Sequence, residues 1–255
     1  MNRRCRISGW VLAGLLCLLA VPAASAADIP YAEAAARARE CGVLSETLGL
    51  VASGVEEGGL ARDEGAALLM PLIEACANRF PLAPFEDKLA EGLAKHVPAP
   101  RIIKVLEDRL AAYRFVRDLL APRFRDVDPE LLVTMAEGVS QGTPRDDLKR
   151  YVAEFSSESP EPFLTGAHMV CLLGQSSFDY ALTRDMLEAA FAEGGPLPQW
   201  RYFIRIVLVG RQRGLADADM AAAARRVLET GGTLNDVSSR LGFTSRSLSG
   251  RVDSN

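Results

Sequence analysis

The sequence is poor in the residues that most enzymes use for catalysis. It has two histidines, 7% aromatic residues and five cysteines in 255 positions. It contains no CxxC, HExxH, GxSxG, GxGxxG or P-loop pattern. Metal-hydrolase, redox, serine-hydrolase and nucleotide-binding classes therefore lack their characteristic parts. We predict no catalytic residue, no metal and no cofactor for this chain.

Long apolar runs are also scarce, and the one that exists lies at the N-terminus. Arg3, Arg4 and Arg6 precede an uncharged apolar stretch over 9–21, and Ala24-Ser25-Ala26 follows it. This order is typical of a cleavable secretory signal, here residues 1–26. The apolar stretch is shorter than the roughly 20 residues of a membrane span, although a retained anchor stays an alternative. We therefore predict an exported protein, periplasmic or secreted, with no membrane span after cleavage.

The predicted mature chain is acidic. Removing three arginines leaves 26 Lys+Arg against 33 Asp+Glu, so the formal net charge changes from −4 to −7. Such a chain has no general electrostatic attraction to nucleic acid, and we predict no nucleic-acid partner.

The mature chain has the pattern of an all-α protein. Residues 101–120 repeat apolar side chains at helical spacing, and Ala, Leu, Glu and Arg are abundant throughout. Asp128 and Pro129 form a helix start, and Thr233 is a second candidate N-cap. We expect helices and no sheet.

Glycine- or proline-marked turns separate the predicted helices at five places, and the steps between them are 38, 46, 52 and 37 residues. The turns are 57–60, 95–98, 141–144, 193–196 and 229–233. Steps of this size are typical of helical repeats. We predict degenerate helical hairpins, either α-solenoid-like or an irregular bundle. Residues 27–155 and 163–250 would form two helical parts around 156–162, a linker or a long loop, with a flexible tail over 251–255.

Three cysteines stay in the mature chain. Cys41 lies 17 residues before Gly58, and Cys76 lies 17 residues after Gly59. In one antiparallel hairpin these cysteines would lie opposite each other on the two helices. We therefore predict a possible Cys41–Cys76 disulfide, unless Gly42 bends the first helix. Cys171 lies in an apolar run and is interpreted as a core thiol.

The densest aromatic cluster is the candidate partner-binding site. Trp200, Arg201 and Tyr202 combine aromatic and arginine side chains, which are favoured at protein interfaces. The alternative is that this segment belongs to the core. Glu91 and Glu137 share an Ala-Glu-Gly phrase, and we interpret them as helix-end charges with the same local role.

Residues 234–245, with Leu241-Gly242-Phe243 at their turn, resemble the second helix-turn-helix of AraC-type transcription regulators. The resemblance covers fewer than about 30 residues and would imply DNA binding. Leu248 stands where that family usually has an aromatic residue, and no basic segment follows. We interpret the likeness as a helix–tight turn–helix shape that glycine permits.

Two functions remain open. The first is a non-catalytic exported scaffold whose helical repeats bind another envelope protein. The second is an exported helical enzyme or small-ligand carrier with a site between the two parts. The second requires distant polar residues, such as Glu137 or Arg201 with His168, to meet in one pocket.

Overall fold

The computed structural model describes residues 29–243, and all of its regular structure is helical. It contains twelve α-helices and one 3₁₀ helix, with no strand in this range. The predicted signal peptide over 1–26 and the predicted tail over 251–255 lie outside the described residues. The all-α class expected from the sequence is thereby confirmed.

The helices are short and follow each other closely along the chain. Their bounds are α1 Tyr31–Glu40, α2 Ser45–Glu56, α3 Arg62–Ala77, α4 Ala83–Ala94, α5 Ala99–Leu120, α6 Pro129–Ser140, α7 Arg145–Phe155, α8 Pro160–Gln175, α9 Tyr180–Ala192, the 3₁₀ helix Pro198–Tyr202, α10 Phe203–Gln212, α11 Asp217–Leu228 and α12 Leu234–Arg240. Each of the five turns predicted from glycine and proline lies between two of these helices.

Most of the helices end in the same local turn. The second residue after the helix has a positive φ, and the next N–H bonds to a carbonyl in the last helical turn. At Gly142 φ is 108°, and Thr143 N–H donates to the Gly138 carbonyl at 2.9 Å. Arg79 and Ser177 take this conformation without being glycine. His96 does so as well, in the predicted turn 95–98. The turns at Arg79 and Ser177 were not predicted from the sequence, although Pro81 follows Arg79 at the spacing at which Pro98 follows His96.

The first helices form a row of parallel elements. The ring of Tyr31, which begins α1, lies against Gly65 near the start of α3, and Cys41 meets Cys76 at their other ends. Helix α5 continues the row, because Arg114 pairs with Glu74 of α3 at 2.8 Å and Arg117 bonds to Asn78 just beyond it. Helices α2 and α4 pack against these parallel helices, and we call α1–α5 together the first row.

The direction of the row reverses between α5 and α6. Tyr113 lies about two turns before the end of α5, and Glu137 lies about two turns after the start of α6. The Tyr113 hydroxyl donates to Glu137 at 3.2 Å, so the two helices form an antiparallel hairpin. Arg109, which is nearly buried, pairs with Glu137 at 3.1 Å and donates to the Pro84 carbonyl. This largely buried ion pair joins the two helices, and loss of either partner would leave the other charge uncompensated.

Helix α6 starts a second row, in which α8 runs parallel to it. Thr134 meets His168, and one turn later Gly138 meets Cys171. The expected linker or long loop over 156–162 is shorter in the structure. Residues 156–159 connect α7 to α8, and Pro160 begins α8. Tyr151 and Phe163 stack across this connection with ring centroids 4.7 Å apart.

One apolar core runs through both rows. Its buried members extend from Ala34 to Phe243 without a gap between the two rows. The largest fully buried side chains include Trp200, Tyr113 and Tyr151. Within residues 29–243, every helix is too short or too polar to cross a membrane.

Candidate partner-binding site

Two arginines stack on one exposed tyrosine where the 3₁₀ helix meets α10. The Arg201 Cζ lies 4.9 Å from the centroid of the Tyr202 ring, and the Arg205 Cζ lies 4.7 Å from it. Arg201 also donates from Nη2 to the Tyr202 hydroxyl at 2.9 Å. Such cation–π contacts keep the ring and both guanidinium groups in a defined arrangement. Arg201 and Tyr202 thus lie together at the surface.

Trp200 is different, and its candidate role as a partner-binding residue needs correction. Its side chain is 1% exposed, and its indole Nε1 donates to the Gly232 carbonyl at 3.3 Å. Its ring packs near Phe203, with centroids 6.1 Å apart. Because the indole fills the core, it has no free surface for a partner. The sequence could not separate Trp200 from Tyr202, since the two residues lie in the same short 3₁₀ helix.

Exposed apolar side chains accompany the arginines. Leu197 is 47% exposed, Tyr202 39% and Leu208 49%. These three are half of the six large hydrophobic side chains exposed among residues 29–243. We call Leu197, Arg201, Tyr202, Arg205 and Leu208 the Tyr202 surface. Exposed apolar residues grouped with aromatic and arginine side chains are typical of protein-binding sites.

His168 of α8 is close enough to the Tyr202 surface to respond to its charge. Burial lowers the pKa of His168 first, the positive charge of Arg201 lowers it further, and Glu130 opposes them. Its Nε2 lies 3.4 Å from the Thr134 hydroxyl and 4.0 Å from Glu130. The structure therefore brings Arg201 and His168 into one neighbourhood.

Glu137 has its ion-pair and hydrogen-bond partners away from Arg201 and His168, and these partners differ in kind from those of Glu91. Glu137 pairs with Arg109 and Tyr113 between α5 and α6. Glu91 is exposed and pairs with Lys88 and Lys95 on its own helix. These lysines lower the pKa of Glu91 to about 2. The expectation of one shared role was wrong, because only Glu137 faces another helix.

The cysteines lie at the ends of two parallel helices. Cys41 caps α1, Cys76 lies in the last turn of α3, and the structure joins them in a disulfide with Cα atoms 5.8 Å apart. The pair does not lie in a single hairpin around Gly58, because the turn at Gly42 follows α1 and α2 intervenes between the two cysteines. Cys171 is a buried free thiol, and burial raises its pKa to about 12.

No group of three or more potential metal ligands occurs among residues 29–243. A groove of about 620 Å³ lies beside α5, lined by Lys88, Val105, Asp108 and Arg145 among others. It is separate from the Tyr202 surface.

Comparisons with family models, with curated proteins and with solved structures found no match to this chain. The turn that resembles AraC-type regulators is one of the recurring helix ends. Gly242 has φ of 72°, and Phe243 N–H donates to the Ser238 carbonyl at 2.8 Å. The helix that the resemblance implies after this turn lies outside the described residues.

Proposed function

We propose that the protein is an exported, non-catalytic helical-repeat protein that binds another protein of the cell envelope through the Tyr202 surface. The observation that carries the proposal is the pair of arginines over the ring of an exposed tyrosine, with exposed leucines at 197 and 208 in the same segment. Aromatic and arginine anchors in such a setting contribute most of the binding energy in many interfaces.

The spacing of the turns supports a repeat. The distance from Gly42 to Arg79 is 37 residues, and the distances from Gly142 to Ser177 and on to Gly214 are 35 and 37. A second set of turns alternates with these, with 38 residues from Gly58 to His96 and 37 from Gly194 to Gly231. Each repeat would then be one helix–turn–helix unit of about 37 residues, a common repeat length. The long α5 and the reversal after it interrupt the period.

The disulfide supports export. Disulfides persist in oxidising compartments and are rare in the cytosol. The signal pattern over 1–26 points to the same compartment. N-terminal sequencing of the purified mature protein tests this part, and we expect it to begin at Ala27. A cytosolic product that still carries Met1 would contradict export.

Partner binding is tested by affinity capture from envelope extract with the wild type, Tyr202→Ala and Leu50→Ala. Leu50 is a matched control, since it is 43% exposed and lies on α2 in the other row. We expect Tyr202→Ala to lose partners that the wild type and Leu50→Ala both capture. Identical captured proteins for all three would remove the Tyr202 surface from the proposal.

A further inference from the structure

We infer that the Tyr202 surface recognises an acidic segment of its protein partner, with the guanidinium edges of Arg201 and Arg205 binding carboxylates. The inference rests on the proposed function and adds the chemistry of the partner. Three features of the surface support it: the unused N–H donors of the two arginines, the lack of acidic partners for them within residues 29–243, and the exposed leucines.

Few of the N–H donors of these two arginines are used within the described part of the chain. A guanidinium group carries five N–H donors in its plane, and contact with an aromatic ring uses only the face of that plane. Within residues 29–243, the one side-chain hydrogen bond from these arginines is that from Arg201 to the Tyr202 hydroxyl. The Nε of Arg201 is buried and cannot reach a partner. The unused donors that a partner could reach are therefore mainly those of Arg205, which is exposed and makes no side-chain hydrogen bond in this range, and the remaining terminal N–H groups of Arg201.

Neither arginine has an ion pair with the described part of the chain, although acidic residues are plentiful. The chain has 33 Asp+Glu against 29 Lys+Arg. Arg211, on the same helix as Arg205, contacts both carboxylate oxygens of Asp217 at 2.8 and 2.6 Å. The positive charges of Arg201 and Arg205 are thus without a paired carboxylate in this part of the chain. The field of Arg201 reaches His168, whose pKa is lowered by burial and by Arg201 and raised by Glu130. A partner with negative charge is complementary to it.

The leucines indicate a protein segment rather than a small anion. Leu208 lies one turn after Arg205 on α10, so the two side chains share a helix face. Leu197 lies directly before the 3₁₀ helix. A planar carboxylate matches the fork of an arginine in a two-point contact, and neighbouring apolar side chains of the same segment would cover the leucines. An acidic segment with interspersed apolar residues satisfies both requirements.

The probe is a fluorescein-labelled synthetic peptide of alternating glutamate and leucine, titrated with the full mature protein at low ionic strength and followed by fluorescence anisotropy. We expect Arg205→Ala to weaken binding about tenfold. Arg205→Lys should weaken it as well, because lysine cannot make the two-point contact. Arg39→Ala is the matched control, since Arg39 is also exposed and without an ion pair in the described residues, but lies on α1. It should bind as the wild type does.

Several outcomes would overturn the inference. One is equal binding by the wild type and both Arg205 variants, and another is equal binding of a peptide with glutamine in place of glutamate. Binding to phosphatidylglycerol vesicles that depends on Arg205, without peptide binding, would indicate a membrane surface instead. If Tyr202→Ala loses envelope partners while the wild type ignores the peptide, the proposed function stands and only the acidic partner is wrong.

Discussion

The two rows of helices, α1–α5 and α6–α12, use the same turns but are stabilised differently. The first row is joined covalently near one end, where Cys41 meets Cys76. The second row has no disulfide among its described residues. Aromatic rings pack between helices in both rows, as Phe85 with Tyr113 in the first and Tyr151 with Phe163 in the second. In the first row, a crosslink that restricts the unfolded chain therefore adds to the aromatic packing that both rows share.

The stability of the second row should depend most on its largest buried ring. We expect Trp200→Ala to lower the free energy of unfolding by about 3–5 kcal/mol, because it removes a fully buried indole and leaves a cavity. Urea denaturation followed by circular dichroism measures this. Tyr202→Ala, only two residues away but exposed, should change stability by less than about 0.5 kcal/mol. Equal losses for the two variants would contradict the separation of core and surface in this segment.

The first row should depend on its crosslink. Replacing Cys41 and Cys76 by serine opens a disulfide with a sequence separation of 35, which should cost roughly 3–4 kcal/mol. Dithiothreitol should have the same effect on the wild type and none on the double variant. If the reductant leaves the urea midpoint of the wild type unchanged, the contrast between the two rows is wrong.

The junction between the rows should depend on Glu137. Glu137→Gln leaves the buried Arg109 without a charged partner, and we expect it to lower the free energy of unfolding by about 2 kcal/mol. Glu91→Gln is the matched control, because Glu91 stands in the same Ala-Glu-Gly phrase but pairs only with exposed lysines. It should leave the urea midpoint nearly unchanged. Equal effects of the two variants would restore a shared role for these glutamates.

A smaller effect on the free energy of unfolding should distinguish turns with glycine at the positive-φ position from turns with another residue there. Arg79 ends α3 with φ of 59°, which costs energy for any residue with a Cβ. We expect Arg79→Gly to raise the free energy of unfolding by about 0.5–1 kcal/mol. The reverse change, Gly214→Arg at the equivalent turn of the second row, should lower it by a similar amount. Thermal unfolding of both variants checks the sign.

The smallest expected effect is a pH dependence specific to the second row. Since the pKa of His168 is lower in the folded protein than in the unfolded chain, the unfolded chain binds the proton more readily. The contribution of His168 to the free energy of unfolding is fully present above about pH 6.5, and it decreases as the pH falls below that value. The difference between wild type and His168→Gln in urea midpoint should therefore change between about pH 7.5 and pH 5. A constant difference would contradict the lowered pKa.

Local sequence signals predicted much of the fold. Residues 101–120 were expected to be helical and lie within α5, and Asp128 caps α6 by accepting from the N–H groups of Glu130 and Leu131. Such features depend on residues close together in sequence. The turns at Arg79 and Ser177 were missed because no glycine stands at the position with positive φ, although Phe80 and Phe178 N–H close the same helix-end hydrogen bonds there.

Long-range geometry was less accessible. The sequence shows that Trp200, Arg201 and Tyr202 are adjacent, but not which ring faces the core, since that depends on where Gly232 and Phe203 lie. The reversal between α5 and α6 also has no local signal. Arg109 and Glu137 are 28 positions apart, and only the folded chain shows that they pair.

Burial of Cys171 simplifies oxidative folding. In the oxidising compartment that we propose for this protein, three thiols could form three different pairs, two of which are absent from the folded structure. With Cys171 enclosed between α6 and α8 and its pKa raised to about 12, almost no thiolate is available there to attack another sulfur. A chain whose second row forms early would thus offer an oxidant a single pair to join.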